Sequence, residues 1–141
     1  DGNRNSLGTR QIGEGNEIDV LQYGRRNFAG SNFRADAGII QRGDNNFASL
    51  IQDGLRNTHL TTQRGFDNES FQDALGNDNN GEAFQRGEEN LADLFQTGDF
   101  NSGIIIQRGL LNSSVIEQTG IGNTAISTQT GFGNSSLTTQ N

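Results

Sequence analysis

The side chains able to do chemistry in this chain are amides at fixed spacing. The glutamines are Gln11, Gln22, Gln41, Gln52, Gln63, Gln85, Gln96, Gln107, Gln118, Gln129 and Gln140. The asparagines are Asn5, Asn16, Asn27, Asn46, Asn57, Asn68, Asn79, Asn90, Asn101, Asn112, Asn123 and Asn134. Between them lie Gly2, Gly13, Gly24, Gly43, Gly54, Gly65, Gly76, Gly87, Gly98, Gly109, Gly120 and Gly131, in the order Gln-x-Gly-x-x-Asn. An amide carries donors and an acceptor together, so identical amides stacked one above another satisfy each other away from water. That is chemistry of assembly rather than of turnover. The chain has one His and no Cys, and no pair of acids recurs at a spacing that would build a pocket. No catalytic residue, metal ligand set or cofactor is therefore expected. The acidic arcs Asp67-Asn68-Glu69 and Asn77-Asp78-Asn79 lack the spacing of known calcium loops and read as solvated turns.

The elements that must position the amides follow from the period. From Gly43 to Gly131 the glycines are always 11 residues apart, which marks a small unit stacked many times. With Asn as position zero and Gln as position six, positions two and four hold no Asp, Glu or Arg. Arg10, Glu17, Asp19, Glu69, Asp73, Glu82, Asp93 and Glu117 all fall at odd positions. Charge confined to one parity predicts a strand with one hidden face, Asn and Gln inward. The strand spans about seven residues, and x-Gly-x-x forms a tight arc to the next. Gly suits positive φ there, and Asn tolerates a left-handed backbone.

A second period is nested in the first. Arg42, Arg64, Arg86 and Arg108 follow Gln at intervals of 22, while alternate units carry Asp53, Leu75, Thr97 and Thr119. Alternate units therefore lie on different sides, and the fold is all-β: a β-solenoid of about six coils, each of two strands in two facing parallel sheets. The Arg column repeats about every 4.8 Å, with Asp44, Asp67, Glu88 and Glu89 in the same arcs. The whole chain, 1–141, reads as one solenoid domain. Residues 28–40 form an atypical insertion or a degenerate unit, because Gly24 and Gly43 are 19 apart. Alternation through Ala29, Ser31, Phe33, Ala35, Ala37 and Ile39 would place Arg34 and Asp36 outward. Ala74 stands where a Gln is due, so one rung is missing. His59 is the one ionisable residue at an inward position: a neutral rung, or a pH-sensitive one.

Composition sets limits. At 30% hydrophobic residues and net charge −7 a non-repeating chain would read as disordered; ladders remove that objection. The acidic balance argues against nucleic acid as partner. No run approaches the length of a transmembrane helix. A chain opening at Asp1 is expected to be processed, its signal peptide removed. Charge is unevenly spread. Asp53 to Asp99 holds ten acids and three Arg, whereas no charged residue follows Glu117. The last coils read as adhesive and the middle coils as restraining aggregation.

The units Gln41-Arg-Gly43-Asp-Asn-Asn46-Phe-Ala48-Ser-Leu-Ile-Gln52 and Gln118-Thr-Gly120-Ile-Gly-Asn123-Thr-Ala125-Ile-Ser-Thr-Gln129 resemble curlin repeats. The resemblance recurs in every unit. It implies a secreted bacterial subunit, similar to the major subunit, that polymerises end to end into curli, an amyloid fibre of the biofilm matrix that also serves cell adhesion. It implies self as the main partner, with a nucleator subunit and secretion and chaperone machinery. A minor nucleator of the same fibre is the alternative. An ice-binding solenoid is the rival outside the family, and would need a regular outward Thr array; Thr58, Thr62, Thr124 and Thr128 share faces with charged rungs.

Overall fold

The computed structural model describes residues 2–29 and 38–141. Among them are fifteen strands and no helix, hence no helix long and apolar enough to cross a membrane. In chain order they are β1 Gly2–Asn3, β2 Ser6–Leu7, β3 Thr9–Ile12, β4 Glu17–Arg25, β5 Phe28–Ala29, β6 Ile39–Arg42, β7 Phe47–Leu55, β8 Thr58–Phe66, β9 Glu69–Asn77, β10 Asn80–Glu88, β11 Leu91–Asp99, β12 Ser102–Leu110, β13 Ser113–Ile121, β14 Thr124–Phe132 and β15 Ser135–Gln140.

From β7 onward consecutive strands belong to opposite sheets, and all pairing is parallel. The first sheet runs β1-β4-β7-β9-β11-β13-β15 and the second runs from β14 through β12, β10 and β8 to the short strands near the amino terminus. Gln85 aligns with Gln63 below and Gln107 above, so one coil is 22 residues. This is the β-solenoid that the doubled period predicts. Parallel strands normally need a long crossover; here the crossover is the opposite strand, and two arcs suffice.

The full strands are nine residues, longer than the seven expected. The reason lies in the arcs. Every coil bends at the same place, so the backbone ladder continues through the bend, with Gly65 opposite Gly87 and Phe66 opposite Glu88. From β7 onward only two residues per arc leave the ladder. The first adopts positive φ even when it is not Gly, as at Asp67 (φ 53) and Leu111 (φ 56). The glycine itself is required by close approach. A Cβ on Gly65 would lie 2.0 Å from the carbonyl oxygen of Gly87, and one on Gly87 would lie 1.9 Å from that of Gly109.

On either side of the atypical segment, Ala29 aligns with His59 and Ile39 aligns with Thr61. Register is regained on both sides, with Gly24 opposite Gly54 and Gln41 opposite Gln63. The outward placement of Arg34 and Asp36, and the alternation through Ser31, Phe33, Ala35 and Ala37, lie outside the described residues.

The core is thin and split. Ala83, Ala92, Leu94, Ile105, Ile116 and Ala125 form one apolar cluster; Ala29, Ile39, Ala48 and Leu50 form another, with Ile18 and Val20 against it. Between them lies a polar layer of buried His59, Thr61, Ser70 and Gln72. Gly65→Ala is expected to lower stability by at least about 3 kcal/mol, because backbone rather than a flexible side chain blocks the new methyl. Urea denaturation followed by circular dichroism checks this; a loss below 1 kcal/mol would show that the arcs can spread.

Candidate functional site

The inward amides are organised as columns along the stacking axis. Buried Gln41 Nε2 donates to Gln63 Oε1 at 2.9 Å, Gln63 to Gln85 at 2.9 Å, Gln85 to Gln107 at 3.1 Å and Gln107 to Gln129 at 3.0 Å. Gln11 begins this column by donating to Gln41 at 2.9 Å. On the other sheet Gln22 donates to Gln52 at 2.7 Å, and Gln96, Gln118 and Gln140 form a separate run at 3.0 and 2.9 Å. Every donation points toward the carboxy-terminal coil. The same Nε2 also reaches backbone carbonyls, as Gln63 does to Asn68 O and Phe47 O. A buried amide left unpaired would cost about 1–3 kcal/mol, so these columns lock the register.

Asn does two jobs. Along one edge, Asn46, Asn68, Asn90, Asn112 and Asn134 each donate Nδ2 to the Oδ1 of the Asn one coil below, at 2.8 to 3.0 Å. Along the other edge, Asn27, Asn57, Asn79, Asn101 and Asn123 offer no such amide-to-amide bond. On both edges the backbone N–H of each bonds the Oδ1 of the Asn below, Asn79 N to Asn57 Oδ1 at 3.0 Å and Asn68 N to Asn46 Oδ1 at 3.3 Å for example. On both edges Nδ2 reaches up to the next coil's Gly carbonyl: Asn57 to Gly76 at 2.8 Å and Asn68 to Gly87 at 2.9 Å. Asn5 and Asn16 make the same reach to Gly24 at 3.4 Å and to Gly43 at 2.6 Å. Sequence reasoning read Asn only as a side-chain rung. Its spacing of three after Gly carries the other signal, since it sets the amide beside the neighbouring arc.

The rung missing at Ala74 is replaced on one side only, by His59. Gln52 Nε2 has no Gln above it and donates instead to His59 Nδ1 at 3.0 Å, beside Asn57 O at 3.0 Å. That assigns the proton to Nε2. His59 Nε2 is directed toward Gln96 Oε1, the acceptor that a Gln at 74 would have served. The approach is looser than an ordinary hydrogen bond, and both atoms are otherwise unpartnered. The ring fits because residue 81 is Gly: a Cβ there would lie 2.3 Å from His59 Cδ2. Complete burial pushes the imidazole pKa down to about 4, with the Gln96 interaction opposing the shift.

Outward charges are less paired. Arg42, Arg64, Arg86 and Arg108 stack in register as one exposed column. Among the described residues none of them, nor Asp44, Asp67, Glu88 or Glu89, forms an ion pair; the one ion pair is Arg56–Asp78 on the opposite edge. It raises the Arg56 pKa and lowers that of Asp78. Half-buried Asp73 and Asp93 are pushed up, chiefly by desolvation and then by Asp53 and Glu69 respectively. No group of three or more potential ligands for a metal ion is found among the described residues. Phe47 and Phe71 pack on the outer face with ring centroids 5.4 Å apart. The outward Thr array that ice binding needs is interrupted: Asn80 and Ser102 lie between Thr58 and Thr124, and Phe84 and Ile106 between Thr62 and Thr128.

The 22-residue register, the arc glycines and the columns of Gln and Asn are the recurring geometry, and residues 87–120, which carry two full units of it, match the curlin associated repeat. Over those residues the chain carries the curlin associated repeat. Comparison with curated proteins gives no match. Curlin subunits are structural, not enzymatic, and belong to extracellular fibres; repeat and fold together support a structural subunit of the curli type.

Two outcomes follow from the His59 layer. A histidine with its folded pKa lowered to about 4 stays neutral while the unfolded chain protonates near 6.5, so stability is complete above pH 6.5 and is lost as pH falls toward 4. Asp73 and Asp93 act in the opposite sense, since raised carboxyl pKa values favour the fold as pH falls through the carboxylate range. His59→Asn is therefore expected to remove roughly 2–3 kcal/mol of the stability difference between pH 7 and pH 4.5, read from urea midpoints. An unchanged difference would place the dependence elsewhere. Gly81→Ala is expected to destabilise by about 1–3 kcal/mol, with a smaller penalty in a His59→Ala background; equal penalties in a double-mutant cycle would show that the ring does not occupy that space.

Proposed function

We propose that this curlin-repeat protein is a secreted subunit of an extracellular amyloid fibre of the biofilm matrix, and that the fibre grows by stacking the amino-terminal coil of one copy on the carboxy-terminal coil of another. The observation that carries this reading is the complementarity of the two ends. At the carboxy-terminal end, Gln129 and Gln140 donate only to the carbonyls of Ser113 and Thr124, leaving the position of a further Gln acceptor open. Asn123 and Asn134 bond Thr119 O and Thr130 O in their own arcs, as Asn101 and Asn112 bond Thr97 O and Arg108 O, but without the second bond to a Gly carbonyl that those two make. At the other end, Gln11 Oε1 receives no donor among the described residues. Donor end thus meets acceptor end, which gives the stack a direction.

The exposed ends also carry apolar surface. Ile121, Ile126, Phe132 and Leu137 are 77%, 64%, 70% and 71% exposed, the four highest values among the large apolar residues, and all lie in β13, β14 and β15. Unprotected strand edges of this kind are templates for a further chain. A homopolymer is the main product, with cell adhesion as its use. The same ends would serve a minor nucleating subunit, and export would depend on secretion and chaperone machinery as in other curli systems.

The test uses the last glycines. A Cβ on Gly131 meets nothing closer than Asn134 Nδ2 at 3.5 Å, and one on Gly120 nothing closer than Asn123 Nδ2 at 3.5 Å, whereas one on Gly109 would lie 2.0 Å from Gly131 O. In a stack, Gly120 and Gly131 would face an incoming carbonyl at the same close distance. The double variant Gly120→Ala, Gly131→Ala is expected to fold with a loss of only about 1 kcal/mol per site from left-handed strain. Its seeded elongation is expected to fall more than tenfold, by dye-binding kinetics and negative-stain microscopy. Elongation at the unaltered rate would rule out growth through this end.

A further inference from the structure

One cluster of charge has no role in the coil itself. On the edge where the first sheet passes into the second, Arg4, Arg26 and Arg56 occupy successive rungs of the left-handed arc position, with φ of 64, 57 and 58. The backbone bonds Arg26 N to Asn3 O at 3.1 Å and Arg56 N to Arg25 O at 3.0 Å hold those rungs in line, so Arg25 stands beside the column. Together these four guanidinium groups line an open groove of about 460 Å³ with Asn3 and Leu55. All four are exposed, and only Arg56 has a carboxylate partner, Asp78 in the next rung. Like charges stacked about 4.8 Å apart repel, and a left-handed backbone is unfavourable for Arg. The whole chain, these four Arg included, carries net charge −7.

The opposite edge carries the complement. Where the second sheet passes back into the first, the left-handed position holds Asp67 and Glu89, and Glu69 stands next to them on the first sheet; these three line a second open groove with Asn90, Leu91 and Leu111. All three acids are exposed and none forms an ion pair among the described residues. The Arg42–Arg108 column lies on the same arcs, but before the bend and on the side of the second sheet. Both grooves are built on the one coil repeat, so charges on the two edges recur with the same rise.

We propose that the Arg4/Arg25/Arg26/Arg56 groove is a lateral docking surface for a second copy of this chain, receiving the Asp67/Glu69/Glu89 groove of a parallel neighbour. Because basic and acidic edges lie on opposite sides, each copy receives one neighbour and offers itself to another. The contact is heterologous and does not close, and it propagates fibres side by side into sheets. At moderate ionic strength the long-range repulsion of acidic copies is screened over about 10 Å, while contact pairs keep their attraction; at 1 M salt the pairs weaken as well. Lateral association is therefore strongest near 0.1 M salt.

This inference rests on the fibre reading above, and the test separates the two. Fibres are grown from the full chain, from Arg4→Gln/Arg25→Gln/Arg26→Gln, and from Asp67→Asn/Glu69→Gln/Glu89→Gln, and the fraction lying in bundles is counted by negative-stain microscopy at 0.1 M and 1 M NaCl. The unaltered chain is expected to bundle at 0.1 M and to separate at 1 M; each variant alone is expected to bundle at least tenfold less, and mixing the two sets of fibres is expected to give fibre pairs, since each set then offers one of the two complementary edges. The acid-depleted variant is decisive against a net-charge explanation, since lower net charge by itself would increase bundling. Bundling unchanged in either variant, absent from the unaltered chain without an added polyanion, or no pairing of the two variants on mixing would overturn the proposal. If no fibres form, the fibre reading fails, and the same mixture is read by sedimentation velocity: association of the two soluble variants with each other, and of neither with itself, supports the docking surface, and its absence overturns it.

Discussion

A buried amide must find a partner, and in this molecule the partner of each glutamine is the same residue one coil away. With few apolar side chains inside, the hydrophobic term is small, and unsatisfied polar groups would be enough to unfold the chain. The Gln columns and the Asn contacts to the neighbouring Gly carbonyls remove that cost at one register only. A slip by one residue would turn every amide outward and every charge inward. Register, sheet number and coil length are thus consequences of amide satisfaction, and the glycines are consequences of how closely coils must approach for those bonds to form.

Where the ladder is interrupted, the interior changes character. Ala74 removes one rung, and around it collect His59, Ser70, Gln72 and Gln96, four of the five side chains that keep an unpartnered buried atom. The two apolar clusters stop on either side of this layer. His59 restores part of the connection with an aromatic ring in place of an amide. It accepts from Gln52 and leaves its Nε2 without a hydrogen bond, and among the described residues it is the one fully buried group whose protonation state can change.

Much of this was legible in the residues because the repeat states it again in each unit. Charge parity placed Gln63 and Asn68 inside, and the 22-residue Arg series revealed two sheets before any coordinates. What was hidden depended on relations between units. The strand appeared shorter than it is, since Gly and its follower look like a turn in one unit and become a ladder only when arcs stack. Asn looks like a side-chain rung, although on both edges it also bonds the backbone of the coil above. The groove of Arg4, Arg25, Arg26 and Arg56 was invisible to periodicity: the residues inserted after Ala29 put Arg26 and Arg56 30 positions apart, and only the aligned strands show them as neighbours.

The one-way donation along the Gln columns has an electrical consequence. From Gln11 to Gln129 each amide points its N–H toward the carboxy-terminal coil, so the small dipoles add instead of cancelling, as peptide dipoles add in a helix. Each new rung polarises those already present, which strengthens bonds further down the column. A stack of such coils behaves as an electret: a solid rod with a built-in axial polarisation that grows with length, carried by side chains that bear no charge.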